Sequence, residues 1–199
     1  MPQTDRARWR RVVLAGYDGD IAGARAALSD DDPVVRALAL GALERAHALD
    51  DDDVRGAFAD RASEVRRRAV ELAAARRSID LLPMLDDVDA TVVEHAAWAC
   101  GEHEQVSDAV LARLVELAGS ATVPLVREAC VASLGAIGDE RGLPAILAGC
   151  RDVPAVRRRA VLALAPFDGD DVDAAIDAAK GDRDWQVRQA AEDLTRIIE

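Results

Sequence analysis

The densest gathering of side chains able to hold a metal or move a proton is Glu94, His95, Cys100, Glu102, His103 and Glu104. Imidazoles and carboxylates are the ligands and general bases of many enzyme centres, so this stretch is the place to look for one. Its spacing argues against catalysis. His95 and His103 stand eight residues apart, which on a helix is about 12 Å along the axis and too far to share one ion without help from another helix. Glycine-rich phosphate loops, nucleophile elbows and usefully spaced Ser, His and Asp sets are absent. Three cysteines, Cys100, Cys130 and Cys150, are too few and too scattered for a disulfide framework or a zinc site. The expectation is no catalytic residue, no metal and no cofactor.

What remains is recognition chemistry, carried by arginine and aromatic side chains, which supply a large share of interface energy. Their positions follow from a repeated phrase. Its cleanest copy is Val156-Arg157-Arg158-Arg159-Ala160-Val161-Leu162-Ala163-Leu164, where the valine and the residues four and eight further on share one helix face. Val35, Val65, Val126 and Val187 open the same phrase, each followed by arginine. Val92 opens it too, but is followed by Val93. The steps between anchors are 30, 27, 34, 30 and 31 residues, a period that predicts a stacked array of helix pairs.

The prediction is an all-α chain of about six helix pairs behind a capping helix at 1–17, with repeats at about 18–48, 49–77, 78–105, 106–138, 139–167 and 168–199. The repeats leave no linker, so 1–199 reads as a single domain. First helices fall near 20–29, 51–59, 78–85, 107–118, 140–150 and 170–180. Second helices, which bear the phrase, fall near 33–48, 62–76, 90–103, 123–137, 153–165 and 184–198. Pro33, Pro124 and Pro154 stand two residues before their anchors, where proline loses no helical hydrogen bond. Asp32, Asp89 and Asp184 are placed to cap helix starts, and Gly135, Gly138 and Gly142 read as bracketing a turn. Half the residues are apolar but only 3% aromatic, so the core must be Ala, Leu and Val; Cys100 and Cys130, at core positions of the phrase, join it as small hydrophobes.

The stretch from Val126 to Gly135, followed by Ile137-Gly138-Asp139 and Leu143-Pro144-Ala145-Ile146, resembles the short HEAT-like repeat named after phycobilisome lyases. The resemblance covers about residues 18–198 and implies an α-α superhelix, a HEAT-like solenoid. It further implies that the arginine after each anchor (Arg36, Arg66, Arg127, Arg157, Arg188) pairs with an aspartate of a neighbouring turn, with a break or a change of curvature at Val93. Second helices of such solenoids line the concave side. Positions two, three and six after the anchors then place Arg67, Arg68, Glu94, Trp98, Glu128, Arg158, Arg159 and Leu162 on a partner-binding face, as two basic patches flanking an acidic and aromatic centre. Trp98 either projects from that face or packs between helices; Trp185 and Trp9 are expected to pack.

Enzymes on related helical repeats fit poorly. The iron site of deoxyhypusine hydroxylase needs several His-Glu pairs, and only His103-Glu104 occurs here. The basic groove of HEAT-like alkylpurine DNA glycosylases is not matched, and no bilin-attachment motif is found. The function that follows is a non-enzymatic scaffold or adaptor for a protein partner. The alternative is a nucleic-acid-associated or repair-like protein using the arginine patches, against which the net charge of −12 argues. No apolar run approaches a membrane span and the first residues are charged, so a cytoplasmic location without membrane contact is expected. The partner's identity and the oligomeric state stay open.

Overall fold

The structure is a computed structural model that describes residues 3–103 and 105–198. Among these residues there are twelve α-helices and no strand: α1 (Gln3–Asp18), α2 (Ile21–Ala27), α3 (Pro33–Arg45), α4 (Asp51–Ala57), α5 (Ser63–Ala73), α6 (Ala90–Gly101), α7 (Asp108–Ser120), α8 (Pro124–Ile137), α9 (Leu143–Gly149), α10 (Pro154–Ala163), α11 (Asp170–Lys180) and α12 (Trp185–Ile198). The fold class is all-α, of the α-α superhelix kind. The chain forms two compact units that meet in sequence at Asp80 and Leu81.

In the first unit α1 packs on α3 and α3 on α5, with α2 and α4 as the short partners. In the second, α6 packs on α8, α8 on α10 and α10 on α12, while α7, α9 and α11 lie against them as first helices. All six anchor valines are buried, as the four-residue spacing requires. Trp9 packs on the core formed by α1, α2 and α3 and donates its indole N–H to Asp32.

Local signals set most helix starts. Pro33, Pro124 and Pro154 occupy the first turns of α3, α8 and α10, and the carboxylates of Asp32, Asp89 and Asp184 accept from the amides of Val34, Thr91 and Gln186. Two expectations change. The first helix expected at 78–85 is only a 3-10 helix, Leu82–Asp86, because the shortest of the repeat steps leaves too few residues for a helix and two turns. Gly135 is not part of a turn; it lies inside α8 where that helix meets α10, and the turn glycine is Gly138, which ends α8 with φ of 69°.

The arginines after the anchors make a recurring contact. Arg36 reaches Asp60 with two donors at 2.7 Å, Arg127 reaches Asp152 at 2.6 and 2.7 Å, and Arg157 reaches Asp182 at 2.8 Å twice. The same guanidinium group also donates to a carbonyl at the head of its own helix: Arg36 to Asp30, Arg66 to Asp60, Arg127 to Ala121, Arg157 to Asp152 and Arg188 to Asp182. In the first unit Arg8 of α1 takes the equivalent place on Asp30. Each pair is bidentate or charge-assisted, a geometry suited to the planar guanidinium.

The break at Val93 has a matching break on the other side. By its bond from Arg127, Ala121 occupies the turn position held elsewhere by Asp30, Asp60 and Asp182. Arginine and its carboxylate are thus both missing between α6 and α8, and no charge is left buried without a partner. Restoring the pair with Val93→Arg and Ala121→Asp together should stabilise the second unit relative to the sum of the single changes by about 1–2 kcal/mol, measured as a double-mutant cycle in urea. Additive effects would show that α6 and α8 do not share the geometry of the other pairs.

Candidate functional site

Helix periodicity places Glu94, Trp98 and Glu102 in one stripe along α6 and just past its end, each one turn from the next. On the neighbouring helix α8, Leu125, Ala129, Ala132 and Ala136 form a parallel apolar stripe. The two stripes face the same groove, about 490 Å³ in volume, which Glu128 and Arg159 also line. Short side chains on α8 leave the groove open, and small residues close its floor. A Cβ on Gly101 would stand 3.1 Å from the Cα of Ser133, so the helices approach closely there. The Ser133 hydroxyl bridges them by hydrogen bonds involving the carbonyls of Ala97 and Ala129.

Trp98 is 45% exposed and Leu125 49%, so a large aromatic and a large aliphatic side chain meet water beside the short alanine side chains of α8. Leu162, at the position of α10 equivalent to Trp98 of α6, is 37% exposed. Trp185 does not pack as expected. It is 65% exposed at the start of α12, the helix position filled by exposed Pro124 and Pro154 in other repeats.

The arginines of the candidate face are less free than their sequence suggests. Glu71 takes both Arg67 at 3.8 Å and Arg68 at 2.9 Å, and Glu128 takes both Arg158 at 3.6 Å and Arg159 at 3.7 Å. Of the eight expected contact residues, Arg67 and Arg68 belong to the first unit. There they line a groove with Val34, Leu38 and Glu64. The other six belong to the second unit, where the groove gathers Glu94, Trp98, Glu128 and Arg159, with Arg158 held to it through Glu128. Leu125, Ser133 and Gly101 were not singled out from sequence. The phrase itself could have flagged Leu125, which stands one residue before its anchor where an apolar side chain has no core to enter.

The remaining chemistry-bearing groups lie elsewhere. His95 contacts the Glu94 carboxylate at 2.5 Å and the Thr91 carbonyl at 2.8 Å, and His103 is buried. Among the described residues no three His, Cys, Asp or Glu side chains converge as a metal site would require; Glu104 lies outside them. Burial pushes the Cys130 thiol up to about 12 and that of Cys150 up to about 11, so both stay protonated and unreactive near neutrality.

Residues 78–165 match the family model of HEAT repeats, a span that contains the whole groove. The repeated arginine contacts carry the same unit on both sides of that span. Residues 78–165 are thus HEAT repeats, and the chain as a whole is similar to HEAT-like repeat proteins. A solved engineered protein from the Northeast Structural Genomics Consortium superposes with a TM-score of 0.60, at 18% identity, over 87% of this chain and 94% of that one, a likeness of fold alone. No curated protein matches the sequence. HEAT repeats generally mediate protein–protein contacts, and their fold is typically non-catalytic. No helix among the described residues of this HEAT-like protein is long and apolar enough to cross a membrane.

Proposed function

We propose that this HEAT-like protein is a non-enzymatic scaffold or adaptor, acting in the cytoplasm, that holds a segment of a protein partner against its second helices. The observation that carries this reading is the groove of α6, α8 and α10. It sets half-exposed Trp98 and Leu125 over an alanine floor with polar residues at the rim, the composition of an interaction hot spot. Repeats suit the task because each adds contact surface without a new core. The nucleic-acid alternative is not favoured: Arg67, Arg68, Arg158 and Arg159 each lie within ion-pair distance of a carboxylate, and phosphates would meet Glu94 and Glu102 first.

A photo-crosslinking residue at Leu162 tests the face, with exposed Ala174 of α11 as the control position. Crosslinks to one protein of a source lysate are expected from position 162 and not from 174. Trp98→Ala should lower their yield at least tenfold, about 1.4 kcal/mol of binding. Equal labelling from both positions, or none from 162, overturns the proposal.

A further inference from the structure

Charge around Trp98 is unevenly neutralised. Three carboxylates line the groove, from Glu94, Glu102 and Glu128, against the single guanidinium of Arg159. That guanidinium and its neighbour Arg158 are directed to Glu128. Glu128 is therefore satisfied from within the groove, while among the described residues Glu94 meets the ring of His95 and Glu102 has no ion-pair partner. The groove thus divides into an end at α10 whose charges are matched and an end at α6 whose negative charge is in excess.

The excess end is also the aromatic end. Glu94 precedes Trp98 by four residues and Glu102 follows it by four, about 6 Å to either side along the axis. An indole face attracts a cation held within about 6 Å of its centre, and carboxylates at that spacing can accept the cation's remaining N–H groups. The floor opposite, Leu125 with Ala129, Ala132 and Ala136, is apolar and shallow. It suits the methylene stem of a long basic side chain and an apolar neighbour in the same segment. An acidic segment would have to desolvate beside Glu94 and Glu102 and compete with Glu128 for the two arginines.

Resting on the docking role proposed above, we infer that the segment held in this groove is basic: an arginine or lysine side chain lies over Trp98 between Glu94 and Glu102, with an apolar residue beside it on the α8 floor. The net charge of −12 adds long-range attraction for such a segment, so association should be fast and salt-sensitive.

The test uses a fluorescein-labelled peptide of repeating arginine, leucine and serine, with counterparts in which glutamine or glutamate replaces arginine, titrated with the full chain by fluorescence anisotropy. The arginine peptide should bind at least tenfold more tightly than the glutamine peptide, and the glutamate peptide should bind least. Glu94→Gln with Glu102→Gln should remove most of that preference, and Trp98→Ala should weaken the arginine peptide about tenfold. Asp170→Asn with Asp171→Asn on α11, an equal change of net charge, should leave it within twofold. Equal affinity for the arginine and glutamine peptides, or equal losses from the two double substitutions, overturns the inference. If instead the glutamine or glutamate peptide binds and Trp98→Ala abolishes it, the docking face stands and only its preference for a cation fails. Absence of protein crosslinks from position 162 would remove the face itself.

Discussion

Arg157→Ala should lower the unfolding free energy by about 2–3 kcal/mol, measured by urea denaturation followed by circular dichroism. The guanidinium makes three contacts at 2.8 Å, two to the Asp182 carboxylate and one to the Asp152 carbonyl, with its side chain only 9% exposed. Alanine supplies none of these donors and leaves a part-buried carboxylate without its cation, which costs more than losing an exposed pair. Arg141 provides the contrast: it pairs with Asp139 and Asp108 but is well exposed, and Arg141→Ala should give no measurable change.

The same contact has a pH signature. The hydrogen bond from Arg157 holds the Asp182 carboxyl below its ordinary 3.8, assisted by the Asp184 amide, and burial opposes this. Asp60 and Asp152 are held down in the same way by Arg36 and Arg127. A carboxyl whose folded value is depressed binds its proton less readily folded than unfolded. Its stabilisation is therefore complete above the ordinary value and lost as pH falls below 3.8 through the folded value. The difference between wild type and Arg157→Ala should be constant near neutrality and shrink below about pH 4. A difference that stayed constant down to pH 2 would show that the stabilisation does not come from the ionised pair.

Gly135→Ala should destabilise the second unit by about 1–3 kcal/mol, although alanine is the better helix former by about 1 kcal/mol. A Cβ there would stand 2.6 Å from the Cβ of Ala163, 2.7 Å from its Cα and 2.8 Å from its carbonyl oxygen. These are backbone atoms or atoms fixed to the backbone, so no rotamer relieves the clash and α8 must move from α10. Glu128 on α8 and Arg158 and Arg159 on α10 would be drawn apart with them, coupling the change to the groove. Gly119→Ala, inside α7 with nothing within 4 Å of the added atom, should raise the melting temperature instead. If both changes shifted the melt alike, close approach would not be what keeps glycine at 135.

How much of this was legible in the sequence differs by element. Periodicity, capping aspartates and prolines act within a few residues, so α11 was placed at 170–180 and α8 within one residue of its observed start. The 3-10 helix at Leu82–Asp86 was missed because an apolar stretch with a proline says little about length; the room left by the shortest step decided it. Trp185 stands two residues before its anchor, where other repeats have proline; packing was expected there, and its place in the first turn of α12 exposes it.

By itself the sequence determined that the chain is a row of helix pairs, which faces are apolar and where most of the helices begin, because those properties depend on neighbours three and four residues away. Only the tertiary structure decided that Glu128 neutralises Arg158 and Arg159, that Ala121 answers Val93, and that Gly135 is a contact and not a turn. Each of these joins residues about thirty apart in the chain, and their distance is set by how closely one helix lies on the next. No local pattern of residue types encodes that separation.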